Sequence, residues 1–419
     1  MPALADMGSC NVTFPDFWFI DSGYSKSKVV DAFVKIIRNE TDWDNEVCAV
    51  IGPIEPRASE GANVLAANLG IPQIAYATID DQLSRQEEFP TFVRWIPSAS
   101  DYANSFPFAL QGNQIWKRDF VGVIYDETDF GSQFHSPIEN AEEIVHYYVS
   151  TGKLAEDDLT SFNDALEYVT ELGYHTVFFA SDRPAIIDEF ADQAVKAGVV
   201  GKEYLWIITG DIAPPELFDT LRFLVDSPED MLMRGATFVT NYDPFIYQPK
   251  NDAFLTAWRS QGDELLNRLR TMHPLLPTDP GYFVGETGYF QTEIPTEYAS
   301  FLYDAIISTG MAACRSNQTN SDHVEELLKS DFEGASGRTV YTQGTNSRDP
   351  AGVRFGIYNI CPGEVDNATN TRGYGLNFTR FKSRQISFFA LPVSILLFVH
   401  EKLRPPAYSY LQWYDWKLD

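Results

Sequence analysis

Basic residues are scarce in this 419-residue sequence: 31 Lys and Arg stand against 59 Asp and Glu, which gives a formal net charge of −28 at pH 7. A surface of this sign repels phosphate backbones, so we expect no nucleic-acid partner. The hydrophobic fraction of 44% and the charged fraction of 21% are typical of a globular protein. The length suits two domains of roughly 150–200 residues each.

Cysteine is also sparse, with four residues far apart (Cys10, Cys48, Cys314 and Cys361) and no C-x-x-C pair. This spacing argues against a structural zinc site and leaves one or two disulfides possible, with three connectivities if all four pair. Five N-x-[ST] sequons favour a secreted protein over a cytosolic protein with chance sequons. They begin at Asn11, Asn39, Asn317, Asn367 and Asn377.

The N-terminal residues, MPALADMGSC, have neither a basic n-region nor an apolar h-region, so they do not form a signal peptide. Either the protein is not secreted or its true start is missing from the sequence.

Catalytic motifs are missing as well. The sequence has no G-x-S-x-G, no P-loop, no G-x-G-x-x-G after its first strand and no H-E-x-x-H. His135, His146 and His175 have no metal-site spacing. The acidic run Glu156-Asp157-Asp158 is interpreted as a solvated helix start, where carboxylates suit the helix dipole. We therefore expect no enzymatic activity, no metal and no cofactor.

The periodicity of the sequence predicts alternating strands and helices. Apolar runs closed by turn residues predict buried parallel strands, and apolar positions at helical spacing predict the helices between them. The first run contains a strand at Phe17–Ile20, a helix from about Lys28, a strand at Val47–Ile51, a helix at Ser59–Asn68 and a strand at Ile71–Tyr76. This β-α-β-α-β order predicts a doubly wound sheet.

The same rhythm restarts after residue 119, which predicts a second lobe. The strands of the second run are predicted at Phe120–Tyr125, Thr176–Ala180, Tyr204–Thr209 and Ala236–Tyr242. Its helices are predicted at Phe162–Leu172 and Ala185–Ala197, with Gly198 at the C′ position. A long helix at Pro295–Cys314 and short strands at Val340–Tyr341 and Val353–Asn359 follow.

Several segments resemble the ligand-binding region shared by natriuretic-peptide, metabotropic glutamate and GABA-B receptors. They occur in family order: VCAVIGP, IPQIAYATIDDQLS, EFPTFVRWIPS, VGVIYDETDFG, AGVVGKEYLWIITGD, RGATF, YASFLYDAI, FEGASGRTVYTQG and RFGIYNI. The resemblance implies a type I periplasmic-binding-protein clamp, an α/β fold with two lobes that are each a doubly wound, mostly parallel sheet. Three crossovers are implied near Pro97, Asp243 and Pro350.

The implied domains are lobe 1 at 1–97 and 243–350, lobe 2 at 98–242 and 351–362, and a C-terminal extension at 363–419. The sequence departs from the family at both ends. The strand and helix that precede the equivalent of Phe17 are missing, which a truncated sequence explains. The extension contains an apolar segment, 386–399, which is shorter than the roughly 20 residues of a membrane span. Three interpretations of this segment are left open: a buried element, a truncated membrane segment or translated non-coding sequence.

The resemblance also implies a ligand between the lobes, beyond the carboxyl ends of the strands. Lobe 1 would contribute Glu55, Arg57 and Ser59 from one loop and Ala77, Thr78 and Ile79 from the next. Lobe 2 would contribute Tyr125, Phe130 and Asp211, with the last two facing a ligand ammonium group. Alternatively, Phe130 lies in the core of lobe 2, Asp211 is a helix N-cap and Arg57 is an exposed loop arginine. Two hydroxyl-bearing positions that hold an amino-acid carboxylate in relatives are absent, which argues against a simple amino-acid ligand.

These features predict the extracellular ligand-binding region of a membrane receptor that resembles G-protein-coupled receptors. It would bind a small polar molecule and pair as a homodimer or heterodimer through lobe 1. A soluble solute-binding protein of a transport system and a non-catalytic subunit-assembly module are the alternatives.

Overall fold

A computed structural model describes most of the chain from Ser22 onward. The described residues are 22, 25–37, 47, 49–54, 56–101, 120–126, 148–154, 160–171, 173–180, 186–201, 203–209, 222–234, 236–240, 249–262, 288–292, 295, 298–316, 320–353, 356–376, 398–399 and 416–417. The chain divides into two compact units: unit 1 contains residues 1–98 and 247–353, and unit 2 contains residues 99–246 and 354–419.

The described residues form nine α-helices and fifteen strands. The α-helices are α1 Lys26–Ile37, α2 Pro56–Leu69, α3 Thr160–Glu171, α4 Ile186–Lys196, α5 Pro228–Met233, α6 Pro249–Arg259, α7 Tyr289–Thr292, α8 Ala299–Arg315 and α9 Asn320–Leu328. Short 3-10 helices occur at Asp81–Ser84 and Pro350–Gly352. The strands are β1 Val50–Ile51, β2 Gln73–Ala75, β3 Phe92–Arg94, β4 Phe120–Asp126, β5 Tyr148–Leu154, β6 Thr176–Ala180, β7 Leu205–Thr209, β8 Arg222–Leu224, β9 Thr237–Thr240, β10 Phe332–Gly334, β11 Gly337–Thr339, β12 Gly356–Asp366, β13 Thr371–Leu376, β14 Phe398–Val399 and β15 Trp416–Lys417.

Unit 1 contains a parallel sheet in the order β1-β2-β3. Gln73 of β2 pairs with Val50 on one side and Phe92 on the other. The residues of β2 and β3 are buried and those of β1 are partly buried, as expected of parallel strands that helices cover. Helices α8 and α9 pack with the sheet in a core that contains Ile74, Val93, Trp95, Ala305 and Leu327.

Helices α1 and α2 form a second apolar cluster of unit 1. Val29 and Phe33 of α1 are buried against Ala58, Ala62 and Ala66 of α2. The small side chains of α2 let the two helices approach closely, because an added Cβ on Gly61 would overlap the aliphatic part of Lys26. The ammonium group of Lys26 lies 2.9 Å from the Glu60 carboxylate.

The β10–β11 hairpin and the segment after it return the chain to β3. Arg94 of β3 forms a parallel bridge with Ser347, and Tyr341 forms an antiparallel bridge with Arg348. The ring of Tyr341 contacts Trp95 edge to face, with 5.3 Å between the ring centroids. Two distant parts of the sequence thereby share one core.

Unit 2 contains an eight-stranded sheet in the order β5-β4-β6-β7-β9-β12-β13-β8. The first five strands of this order are parallel, and β12, β13 and β8 are each antiparallel to their neighbours. Its core stacks the rings of Phe179 and Phe190 with 4.1 Å between their centroids, and Trp206 meets Phe190 edge to face.

Most of the predicted elements occur within a few residues of their predicted bounds. The strand Thr176–Ala180 has the predicted bounds, and the helix predicted from about Lys28 begins at Lys26. Gly198 follows α4 with a φ of +73°, as a C′ glycine does. The predicted strand Phe17–Ile20 lies outside the described residues.

The C-terminal part differs from the prediction in one respect. Strand β13 pairs with both β12 and β8, so the sheet of unit 2 continues past residue 362, where the sequence interpretation ended lobe 2. The backbone hydrogen bonds of the β12–β13 hairpin explain this continuation. Of the apolar segment 386–399, only Phe398 and Val399 are described, and they pair with β15. Among the described helices, none is long and apolar enough to cross a membrane.

Candidate functional site

The candidate binding loop of unit 1, defined here as Gly52–Ile54, connects β1 to α2. Gly52 has a φ of +93°, a backbone conformation that a side chain disfavours, and the Gly52-Pro53 peptide bond is cis. An added Cβ on Gly52 would lie 3.4 Å from the ring of Tyr76. The loop therefore needs glycine for its backbone conformation.

Three consecutive carbonyl groups of this loop accept hydrogen bonds from buried side chains. The Gln73 amide Nε2 donates to the Gly52 carbonyl over 3.0 Å. The Ser59 hydroxyl donates to the Pro53 carbonyl over 2.8 Å, and the Thr78 hydroxyl donates to the Ile54 carbonyl over 2.7 Å. Because all three carbonyls are bonded inward, side chains of unit 1 determine the path of the loop.

The predicted ligand-binding hydroxyls of Ser59 and Thr78 are thus used within the protein. Ser59 is fully buried, Thr78 is 1% exposed, and the two hydroxyl oxygens lie 3.1 Å apart. Each hydroxyl has only one proton to donate, and a loop carbonyl lies within donating distance of each. The structure brings the two predicted residues together as supports of the loop.

The remaining predicted residues of unit 1 differ in exposure. Arg57 is exposed in the first turn of α2, whereas Ala77 and Ile79 are buried, at 7% and 9% exposed. Ile54, at the end of the loop, is 41% exposed. Glu55 lies outside the described residues.

In unit 2, Tyr125 is the penultimate residue of β4, and its side chain is partly buried. It pairs with Lys153 of β5 and Ala180 of β6, at the carboxyl ends of neighbouring parallel strands. This edge is where open α/β sheets bind ligands. Phe130 and Asp211 lie outside the described residues.

Sequence reasoning missed two buried polar residues, Gln73 and Arg94. Gln73 lies in the middle strand of unit 1, and its Nε2 also donates to the Ser59 carbonyl over 3.1 Å. Arg94 donates to the hydroxyls of Ser84 and Ser347 over 2.9 and 3.1 Å, and to the Asp80 carbonyl. The available signal was a polar residue inside each apolar run, IPQIAYA and FVRWI. Buried polar groups of this kind normally have partners that must be found.

Features outside the loop bear on the environment of the protein. Cys314 is disulfide-bonded. Asn367 is exposed in the turn between β12 and β13, and the other four sequon asparagines lie outside the described residues. The part of the chain that the structure describes holds no group of three or more His, Cys, Asp or Glu side chains able to bind a metal ion.

Comparison with known proteins identifies the family. The receptor family ligand binding region matches residues 16–360. Taste receptor type 1 member 2 of Mus musculus is 25% identical over 125 residues, which are 30% of this chain and 14% of that receptor. The Resact receptor of Arbacia punctulata is 26% identical over 185 residues, 42% of this chain and 18% of that receptor. The matched part is therefore a minor fraction of each relative's length.

Solved structures with the same fold include bacterial binding proteins. The leucine-binding protein LivK of Thermotoga maritima has a TM-score of 0.58 and 16% identity, with coverage of 83% of this chain and 85% of that chain. An ABC transporter substrate-binding protein of Desulfitobacterium hafniense, in complex with Leu, has a TM-score of 0.57 and 16% identity, with coverage of 80% and 83%. The type I periplasmic-binding-protein fold predicted from the sequence is thereby confirmed.

The family is a ligand-binding region, and the similar proteins named here are receptors and binding proteins. The match spans well over half of the chain. This chain therefore belongs to the receptor family ligand binding region.

Proposed function

We propose that this chain is the extracellular ligand-binding region of a membrane receptor, where it binds a small molecule and signals through a ligand-dependent change of conformation. The observation that carries the proposal is the family match over residues 16–360, together with two receptors among the similar proteins. Closure of the lobes around the ligand would transmit binding, because a ligand shifts a conformational equilibrium by its differential affinity for the two states.

Two features support an extracellular location. Disulfides such as that of Cys314 persist in oxidising compartments and are rare in the cytosol. The sequon at Asn367 lies in an exposed hairpin turn, where a glycan is accommodated without disturbing a core. The disulfide and the exposed sequon are both expected of a receptor region that faces the cell exterior.

The candidate binding loop narrows the ligand class. Ser59 and Thr78 donate their hydroxyl protons to loop carbonyls, so these hydroxyls are not available as donors to an amino-acid carboxylate. We propose a small polar ligand that is held by other residues of the predicted site, including Arg57, Tyr125 and the sequence-predicted Glu55, Phe130 and Asp211. Simple α-amino acids such as L-leucine are expected to bind weakly or not at all.

Dimerisation through lobe 1 is part of the same proposal. Helix α2 exposes the apolar side chains of Val64 and Leu69, which are 48% and 38% exposed. A second chain packed on this helix would remove apolar surface from water. Sedimentation velocity of the chain, compared with a Val64→Lys variant, tests the contact.

A soluble solute-binding protein is the second candidate, favoured by the bacterial binding proteins that share the fold. Their identity of 16% establishes the fold alone. Sequencing of the full-length transcript separates the two functions. A signal peptide upstream and one or more apolar spans downstream support the receptor, and a stop codon with no span refutes it in favour of the soluble protein.

Ligand binding itself is tested by thermal shift with a panel of L-leucine, L-glutamate, biogenic amines and monosaccharides. A compound at 100 times its dissociation constant adds about 2.7 kcal/mol to the free energy of unfolding. A shift by an amine or a neutral polar compound supports the proposed ligand class. A larger shift by L-leucine would contradict it.

A further inference from the structure

We infer that Gln73 is the positioning residue of the candidate binding loop: its amide clamps Gly52, the residue directly after β1, to the first turn of α2 and so sets where Gly52–Ile54 lies. The same nitrogen, Nε2, donates to the Gly52 carbonyl over 3.0 Å and to the Ser59 carbonyl over 3.1 Å. One acceptor is the first residue of the loop and the other lies in α2, so the rest of the loop is the segment between them.

The orientation of the Gln73 amide follows from its surroundings. A primary amide has two N–H donors, which is the number that the two carbonyl groups require. The reverse orientation would place the amide oxygen against two carbonyl oxygens, a repulsive arrangement. The amide nitrogen is therefore the atom that faces the loop.

Burial makes the clamp effective. Gln73 is fully buried, so water does not compete for its two hydrogen bonds. Within the described ranges, the amide oxygen Oε1 is also buried and accepts no hydrogen bond. The side chain thus bears the cost of an unsatisfied acceptor, and its favourable contacts are the two bonds that reach the loop and α2.

Gln73 lies on the central strand of the three-stranded sheet, which fixes the position of its side chain. β2 is the central strand, paired in register with β1 at Val50 and with β3 at Phe92. A central strand between two neighbours is a rigid base, and an amide anchored on it holds the loop more firmly than a contact from another loop would. Ser59 and Thr78 then complete the loop by binding the next two carbonyls.

The positioning role of Gln73 does not depend on the proposed function. Only its consequence, that ligand affinity depends on the path of the loop, rests on that function. Loop fixation can be measured without any ligand. A failure of the receptor proposal would leave these measurements intact, and a failure of the clamp would leave the receptor proposal intact.

The experiment compares Gln73→Glu and Gln73→Met with the matched control Asn63→Asp. Glutamate keeps the shape of the side chain but cannot donate when ionised, and methionine removes both donors without adding charge. Asn63 is equally buried in unit 1, but its amide donates to the Thr91 hydroxyl and contacts no loop carbonyl. Asn63→Asp therefore controls for placing a carboxylate inside this unit.

The first readout is the rate of trypsin cleavage after Arg57, with cleavage after the exposed Arg85 as the internal reference. We expect about tenfold or more acceleration at Arg57 in both Gln73 variants, which corresponds to the loss of two hydrogen bonds. In Asn63→Asp, the ratio of the Arg57 rate to the Arg85 rate is expected to stay within about twofold of the wild-type ratio, because a carboxylate buried in unit 1 destabilises the whole unit and accelerates both cleavages. In the Gln73 variants that ratio is expected to rise about tenfold or more, because the loop is released locally.

The second readout is amide hydrogen exchange of residues 52–62, corrected for the intrinsic effect of pH. In Gln73→Glu, we expect low protection at pH 8 and partial recovery at pH 5.5, because a protonated carboxyl group donates one O–H to a carbonyl. Gln73→Met is expected to show no such recovery, which separates donation from side-chain size.

An equal rise of this ratio in Asn63→Asp and Gln73→Glu would overturn the inference, because it would reflect a buried carboxylate in unit 1 and not the loss of the clamp. Unchanged loop exchange in both Gln73 variants would also overturn it. If Gln73→Glu does not fold, Gln73→Met alone decides between an unclamped loop and an unchanged one.

Discussion

The carboxylate of Asp304, on α8, accepts hydrogen bonds from both the backbone N–H and the hydroxyl of Ser336, in the turn between β10 and β11. The backbone bond is 2.8 Å long and joins residues 32 positions apart in the sequence. Arg348 donates to the same hydroxyl over 2.6 Å. Burial raises the pKa of Asp304, while the Arg348 guanidinium and the donors from Ser336 and Ala335 oppose that rise.

Replacing Asp304 with asparagine is expected to destabilise unit 1 by about 2–3 kcal/mol, because the amide nitrogen would face N–H and O–H donors and leave them unsatisfied. Hydrogen exchange of β10 and β11 measures the effect. Asp331→Asn is the control, since Asp331 pairs with Arg338 on the exposed surface, and it should cost less than about 1 kcal/mol. Equal costs for the two variants would show that the buried network contributes no more than a surface pair.

A buried carboxylate also joins the last long strand of unit 2 to the rest of that unit. Asp230 is fully buried, and the Arg372 Nε of β13 lies 3.1 Å from its Oδ1. Arg234 pairs with its other oxygen. We expect Asp230→Asn to cost about 3 kcal/mol, because two cations lose their buried counter-charge. Urea unfolding measures this free-energy cost, and hydrogen exchange of the β13 amides shows whether the strand is released.

Asp226 provides the control for that measurement, because it pairs with the same Arg234 but its side chain is 72% exposed. Asp226→Asn should change the free energy of unfolding by about 1 kcal/mol or less. Asparagine also suits the φ of 63° at this position. Loss of β13 protection in the Asp226 variant alone would contradict the assignment of Asp230 as the link.

The contact between α8 and α9 is expected to depend on pH through Glu326. Its hydrogen bond with Lys329 is the largest cause that lowers the pKa of Glu326, and Arg315 acts in the same direction. Because the folded-state pKa is depressed, the ionised carboxylate contributes stability above the ordinary glutamate pKa and loses it as the pH falls through the folded value.

Wild-type protein should therefore melt at a higher temperature than Glu326→Gln at pH 7, and the difference should vanish towards pH 3. Glu325→Gln, at the exposed neighbouring position of α9, is the matched variant and should show a smaller difference at pH 7. A difference for Glu326→Gln that persists in acid would rule out the charge as its cause.

The Asn367 sequon yields a test that needs no ligand. When the chain is secreted from animal cells behind an added leader peptide, we expect one glycan at Asn367. Thr369→Ala should reduce the mobility shift that glycosidase treatment reveals by the contribution of one glycan, and Thr369→Ser should retain the full shift, because serine preserves the sequon. Glycopeptide mass spectrometry that finds Asn367 unmodified in the wild type would contradict the expectation.

The local sequence pattern was sufficient to predict most helices and strands of the fold. The run Thr176–Ala180 is a buried strand because all five of its residues are covered on both faces, and continuous apolar runs predict that state. The extent of the sheet in unit 2 was not predictable in the same way. β13 contains polar residues and glycine, and it pairs through backbone hydrogen bonds that any residue type can make.

In the candidate site, too, the sequence predicted some residues and missed the contacts that depend on the fold. The resemblance to the receptor family predicted Ser59 and Thr78 as site residues, but not that their hydroxyls bind carbonyls of the loop, because those bonds depend on the folded path of the loop. Gln73 was overlooked because an amide inside an apolar run has no periodic signal. Asp304 and Ser336 lie on elements whose approach no local pattern encodes.

By itself the sequence determined the alternation of strands and helices, the acidic surface and the family, because each depends on residue type at short spacing. Only the tertiary structure decided which carbonyl each buried donor binds and which charges share a core. Such contacts join residues as far apart as Arg94 and Ser347, 253 positions along the chain, and depend on the packing of whole elements.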